Sequence, residues 1–284
     1  MMKPAVWTDA FVELQPEEAV KRLAKIGWKF IELADKHCRD LDKLNHPEKK
    51  FEALRDLCEN LHVSIVQMHG PMFNVCVEQE RLLEMDLAKR AMRWARILGV
   101  KWMIFHPGRL PDMVKEDEAL EKVRQTNREV IMELLEAEPS SEVGIALENV
   151  FGKEAQGRAV YGSTPSELLW LVHNTDARRV GVCWDTGHAN LQGLDQSQAI
   201  KALNGHLVAT HIADNDTSRD QHLLPFEGNI DWRSIITALK EIGYDGLFNL
   251  EIGGAVHRIP LSLRDSCLHY ALKLAESLCE GNLW

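Results

Sequence analysis

The sequence predicts a (β/α)8 barrel, read as one domain over residues 1–284. Three observations point there: a recurring helix-to-strand junction, eight short apolar segments separated by amphipathic ones, and a histidine or carboxylate at the end of most of those segments. The junction is an aliphatic residue plus glycine, followed almost at once by an apolar run. Ile26-Gly27, Leu98-Gly99 and Ile242-Gly243 lead in this way into residues 28–33, 100–105 and 247–250. Glycine accepts the left-handed conformation that stops a helix, and so short a link from helix to strand belongs to parallel α/β folds.

The eight predicted strands are residues 5–11, 29–33, 63–68, 102–105, 144–147, 180–184, 207–210 and 247–250. Between them apolar residues recur at helical spacing, as in Leu83, Leu87, Met92, Ala95 and Leu98, and in Ile235, Ile236, Leu239 and Ile242. Thr164-Pro165-Ser166-Glu167 has the makings of a helix start, with a capping threonine, proline at the first helical position and an acid in the first turn. The alternation closes with the amphipathic segment 261–278, and no Pro/Ser-rich linker divides it. A doubly wound sheet would want a glycine-rich phosphate loop after its first strand, but Trp7-Thr8-Asp9-Ala10-Phe11 contains no glycine.

Composition narrows the partners. With 33 Lys+Arg against 43 Asp+Glu, the net charge is −10, and the longest basic runs are the isolated pairs Lys49-Lys50 and Arg178-Arg179. That argues against a polyanion such as nucleic acid. Six cysteines without CxxC spacing suggest neither a disulfide framework nor a thiolate zinc site, and fit a reducing cytoplasmic setting. No run approaches the ~20 apolar residues that span a bilayer, and Met1-Met2-Lys3-Pro4 leads into amphipathic sequence without a signal-like apolar region. A homo-oligomer is compatible with the sequence.

In such a barrel the chemistry sits where strands end. The third and fourth strands run out into His69-Gly70-Pro71 and His106-Pro107-Gly108, the fifth into Glu148-Asn149. The last three lead to Asp185-Thr186-Gly187-His188, His211-Ile212-Ala213-Asp214-Asn215 and Glu251-Ile252. Side chains alternate along a strand, so Glu148 shares its face with Gly144 and Ala146, Asp185 with Gly181 and Cys183, and His211 with Ala209. Small residues beneath mark the inward face. Three carboxylates converging there would repel one another without a cation, and with one imidazole they make a donor set that suits Mn²⁺, Co²⁺, Mg²⁺ or Zn²⁺. His69, His106, His188, Asp220 and His222 stand around this core. They either extend the metal set, to a total of one to three ions, or contact substrate and orient the ligands.

Taken in order, these motifs resemble the xylose isomerase-like TIM barrel superfamily of sugar isomerases and epimerases, which also contains endonuclease IV. The resemblance runs from His69-Gly70-Pro71 through Leu147-Glu148-Asn149, Trp184-Asp185-Thr186-Gly187-His188, His222-Leu223-Leu224-Pro225-Phe226-Glu227-Gly228-Asn229-Ile230-Asp231-Trp232 and Leu250-Glu251-Ile252. Similarity to D-tagatose 3-epimerase implies one divalent metal on Glu148, Asp185, His211 and Glu251. It also implies that Glu148 and Glu251 act as the acid/base pair and that His188 touches a sugar oxygen; His69 and His106 are further candidate substrate contacts. An arginine of that subfamily falls on Thr217 here, leaving Arg219 as the stand-in substrate contact. Similarity to endonuclease IV implies instead three zinc ions on His69, His106, Glu148, Asp185, His188, His211, Asp220, His222 and Glu251.

The first reading calls for a sugar, sugar phosphate or inosose, with one glutamate removing a proton beside a metal-polarised carbonyl and the other returning it. The second, hydrolysis at an abasic site in DNA, calls for a basic and apolar grip in the loops. Phe73, Arg109, Leu110, Lys153, Arg158, Tyr161 and Arg219 are thin for a duplex but adequate for a small phosphorylated sugar, so sugar chemistry is the expectation.

Overall fold

Eight parallel strands are laid side by side in the computed structural model, which describes residues 1–110, 116–153 and 160–281. They are β1 (Lys3–Trp7), β2 (Phe30–Leu33), β3 (Ser64–His69), β4 (Trp102–Phe105), β5 (Gly144–Glu148), β6 (Val180–Asp185), β7 (Leu207–His211) and β8 (Leu247–Leu250). Each pairs with its sequence neighbour from β1 to β7, and β8 pairs with β1. The seam between β7 and β8 is bridged past their ends: Ile212 N–H donates to Asn249 O at 2.8 Å, and Glu251 N–H donates to Ile212 O at 3.0 Å. This bridge draws the two end strands together and nearly closes the barrel. Arg158 lies outside the described residues.

Around it run α1 (Pro16–Ile26), α2 (Asp35–Asp42), α3 (Pro47–Leu61), α4 (Glu78–Leu98), α5 (Glu116–Ala137) and α6 (Pro165–His173), then α7 (Thr186–Leu191), α8 (Gln196–Ala202), α9 (Trp232–Glu241), α10 (Gly253–Val256) and α11 (Arg264–Glu280). The three glycines of the junction phrase do turn left-handed, at φ +118° for Gly27, +73° for Gly99 and +67° for Gly243. At the start of α6, Glu167 Oε2 accepts the Thr164 N–H at 3.2 Å. Helices bury one stripe against the barrel, as with Ala19, Val20 and Leu23 of α1, and Ile235, Ile236 and Leu239 of α9. Burying a side chain such as Leu or Ile stabilises by about 1.5–3 kcal/mol.

Three local expectations are corrected. The first strand stops at Trp7, because residues 8–11 coil into a 3-10 turn in which the Thr8 hydroxyl accepts the Ala34 N–H at 2.9 Å. Strands β3, β5, β6 and β7 each run one residue further than predicted, so that His69, Glu148, Asp185 and His211 belong to the sheet itself. On α4 the buried stripe is Met85, Ala88, Met92 and Ala95, while Leu83 is 79% exposed. Among the described residues no helix is long and apolar enough to cross a membrane, and all six cysteines are free.

Candidate metal centre

Alternation along β4 to β7 stacks the barrel interior in layers. At the bottom, glycines are required: a Cβ on Gly144 would lie 2.2 Å from the Trp102 ring, and one on Gly181 would lie 2.6 Å from Val208. Above them Ile104, Ala146, Cys183 and Ala209 form a small apolar layer. The next inward positions are Glu148, Asp185 and His211, and Glu251 joins them just beyond β8. All four are buried.

One donor atom from each of Glu148, Asp185, His211 and Glu251 lies within 4.8 Å of all the others. His211 Nδ1 stands 3.2 Å from Glu148 Oε2 and 3.2 Å from Glu251 Oε2, yet hydrogen-bonds to neither. Asp185 Oδ2 and Glu251 Oε2 are likewise buried without a hydrogen-bond partner. Buried polar atoms are normally paired, and isolated orphans cost roughly 1–3 kcal/mol each. Three orphans facing one another, with oxygen and imidazole donors at this spacing, fit a divalent cation.

The remaining candidates form the wall above. His69, His188 and His222 share a design in which each donates its Nδ1 hydrogen to a backbone carbonyl and turns Nε2 inward. The acceptors are Gly70 O at 2.8 Å, Asn149 O at 2.8 Å and Glu251 O at 3.0 Å. His106 Nε2 reaches Glu148 Oε2 at 3.0 Å, and His69 Nε2 stands 3.6 Å from the same oxygen. Asp220 lies between two rings, 2.8 Å from His222 Nε2 and 3.5 Å from His188 Nε2.

The loop carrying Asp220 and His222 is anchored by Asp214. That carboxylate accepts from the N–H groups of Asn215, Phe226 and Ile230 and from Trp232 Nε1, at 2.8–3.2 Å. Trp7, Asp9, Met72, Gly253, Gly254 and His257 join the wall to enclose a cavity of about 330 Å³ onto which Glu148 and Glu251 open. A neighbouring cavity lined by Phe73, Arg109 and Phe151 shares His106 and His188 with it.

The match of a family profile to residues 20–267 is decisive, because its description is "Xylose isomerase-like TIM barrel". The chain belongs to this family. An inosose isomerase of Bacillus velezensis is 26% identical over 240 residues, covering 80% of each chain. A probable endonuclease 4 of Methanoculleus marisnigri is 28% identical over 176 residues, covering 60% of this chain and 58% of its own. Among solved structures, a D-tagatose 3-epimerase-like protein superposes with TM-score 0.78 at 23% identity, over 100% of both chains. The IOLI protein, crystallised with a zinc atom, also gives 0.78 at 20% identity, over 99% of both. These superpositions show the shared fold.

Without a cation, this xylose isomerase-like barrel balances its rim charges with protons. Burial pushes the Asp185 carboxyl up to about 7. Burial also opposes the charge of Glu251, but His211 and His222 outweigh it and hold the carboxyl near 2. The imidazoles respond in the other sense. Burial disfavours their charge, yet the Glu148 carboxylate raises His69 to about 9, and Glu251 with Asp220 raises His222 to about 10. His188 and His211 are held well above their ordinary value against burial, by Asp185 and Asp220 in one case and by Glu32, Glu148 and Glu251 in the other. A dication arriving among these groups would displace protons from the imidazoles and leave the carboxylates charged.

Placement differs from expectation at several residues of the family barrel. Arg219 is exposed and does not line the cavity. His257, which no sequence motif singles out, stands at the cavity wall with its Nε2 2.7 Å from Asp9 O. Glu32, Gln67 and Asn249 went unread although each is buried inside the barrel. A signal existed for all three. Glu32 is a lone acid near the end of an apolar strand, and Gln67 and Asn249 sit one inward step below His69 and Glu251.

Proposed function

We propose that this chain is a metal-dependent isomerase or epimerase of a sugar or inosose, in which Glu148 and Glu251 exchange a proton at the carbon beside a carbonyl. The observation that carries this reading is the placement of those two carboxylates. They flank His211 Nδ1 at 3.2 Å each and open on the same cavity, whereas Asp185 and His211 are not among its lining residues. Glu148, Asp185, His211 and Glu251 would hold the cation. When bound, it would supply a Lewis acid that polarises the carbonyl and acidifies the neighbouring C–H.

The chain's own groups would do the rest. One glutamate takes the proton with an oxygen free of the cation, and the other returns a proton from the opposite side, which inverts the centre. His69, His106 and His188 line the same cavity and would contact substrate oxygens, while Trp7 and Met72 would supply an apolar flank for C–H groups. About 330 Å³ is a volume for one small polyol. Among the described residues no Lys or Arg lines that cavity, and the relation to an inosose isomerase at 26% identity supports an uncharged polyol as substrate.

The test is deuterium uptake from heavy water into a panel of ketoses and inososes. Wild-type protein should label the carbon next to the carbonyl of at least one. Glu148→Gln and Glu251→Gln should each slow that exchange by roughly 10²–10⁴-fold in a folded barrel. Wild-type exchange in either variant would remove the two-glutamate assignment.

A second reading, hydrolysis at an abasic site, is favoured by one observation: His188, Asp220 and His222 stand together beside the four inner ligands. Metal-dependent nicking of an abasic oligonucleotide, with no exchange into any sugar, would put it first.

A further inference from the structure

His211 is anchored differently from its neighbours. His69, His188 and His222 each donate Nδ1–H to a backbone carbonyl and face inward with Nε2. His211 is turned round: its Nε2 meets the carboxylate of Glu32, at 3.1 Å from Oε1 and 3.0 Å from Oε2, and its Nδ1 faces Glu148 and Glu251. Glu32 comes from β2, across the barrel, and its side chain is wholly buried.

A carboxylate at that depth is tolerated only with donors around it. Gln67 Nε2 donates to Glu32 Oε2 at 2.8 Å and Asn249 Nδ2 donates to the same oxygen at 2.7 Å. Both amides present nitrogen to Glu32 and leave their own buried oxygens, Gln67 Oε1 and Asn249 Oδ1, without partners. An ionised carboxylate only accepts, so the ring nitrogen facing it must carry hydrogen. A neutral imidazole with hydrogen on Nε2 has its lone pair on Nδ1. That is the atom left bare among Glu148 and Glu251.

We infer that Glu32 is a positioning residue, held by Gln67 and Asn249, which fixes His211 as the Nε2–H form and directs its Nδ1 lone pair at the cation, so setting the affinity of the centre. The inference rests on the metal-centre reading proposed above. A carboxylate behind an imidazole ligand fixes ring orientation and raises ligand basicity, and losing such a partner weakens metal binding by roughly 10–100-fold.

The experiment uses Zn²⁺ and Mn²⁺ alone, titrated into the metal-free full chain in competition with a chromophoric chelator. Glu32→Gln keeps the shape and an acceptor oxygen but removes the charge. It should raise both dissociation constants by at least about tenfold. Equal affinities in wild type and Glu32→Gln would overturn the role of Glu32 and leave the metal centre standing. A wild-type chain that takes up neither ion would overturn the metal centre itself, and this inference with it. Should Glu32→Gln fail to fold, the zinc-loaded wild type labelled with nitrogen-15 in its histidines decides. A one-bond N–H coupling at His211 Nε2, with Nδ1 shifted by zinc, is expected; hydrogen on Nδ1 would refute the inference.

Discussion

The inner and outer parts of the rim are built on different principles. Glu148, Asp185 and His211 end three adjacent strands, with side chains 1%, 1% and 0% exposed. Asp220 and His222 hang from the loop after β7, with side chains 22% and 26% exposed, and His222 holds a left-handed backbone at φ +46°. Strand ends fix donor atoms through register, since Asp185 is paired with His211 in the sheet. The loop pair depends on contacts further out: Ala255 N–H donates to His222 O at 3.0 Å, and Asp214 gathers the segment behind it. A barrel of this kind can therefore alter its outer rim without disturbing the buried donor atoms below.

The largest expected contrast is in metal-linked stability. A cation at a hundredfold its dissociation constant stabilises the folded chain by about 2.7 kcal/mol. Asp185→Asn should abolish that gain in thermal unfolding with and without Mn²⁺ or Zn²⁺, whereas Asp220→Asn should retain most of it. Equal loss in both variants would join the loop to the inner site and erase the distinction.

A smaller effect is expected from the loop's seat. A Cβ on Gly254 would lie 1.8 Å from the Gln221 carbonyl oxygen, which is backbone and cannot step aside. Gly254→Ala should destabilise the chain by about 1–3 kcal/mol and displace His222, leaving the affinity of the inner four for one metal nearly unchanged. Loss of that affinity would show that the loop supports the inner ligands after all.

The smallest effect is in the pH dependence of the metal-free chain. His222 is raised from 6.5 to about 10, so its contribution to stability is complete below 6.5 and is lost as pH climbs towards 10. His37 lies on the opposite side of its ordinary value: burial lowers it, so the fold loses stability as pH falls below 6.5. Chemical unfolding across pH 5–10 should show both slopes. His222→Gln should make the alkaline slope shallower, with His69, His188 and His211 supplying the remainder, and leave the acid one intact. An unchanged alkaline slope would detach His222 from Glu251 and Asp220.

Much of this was legible in the residues. The eight strands follow from local patterning, and β4 and β8 begin and end at the predicted residues because turns and helix stops bound them closely. Glu148, Asp185 and His211 could be picked out because strand alternation is a short-range rule and a small residue two positions before each marks the inward face, whereas Glu251 was read only from its place at the end of the last strand. Leu83 was misread for the complementary reason: helical spacing defines a stripe but not its rotation, and the barrel buries Met85 and Ala88 instead. Arg219 was placed by analogy of sequence position, and a loop residue has no periodicity to aim it.

The sequence by itself determined a parallel barrel and the rim on which its acids and histidines stand, since both depend on periodicity and on junctions a few residues long. Tertiary structure alone decided which groups meet across the lumen. Glu32 and His211 are 179 positions apart in the chain, and Asp9 and His257 are 248 apart. Such pairs are created by closure of the sheet and by packing of loops at its mouth. No local pattern encodes them, because each partner satisfies its own strand or loop equally well without the other.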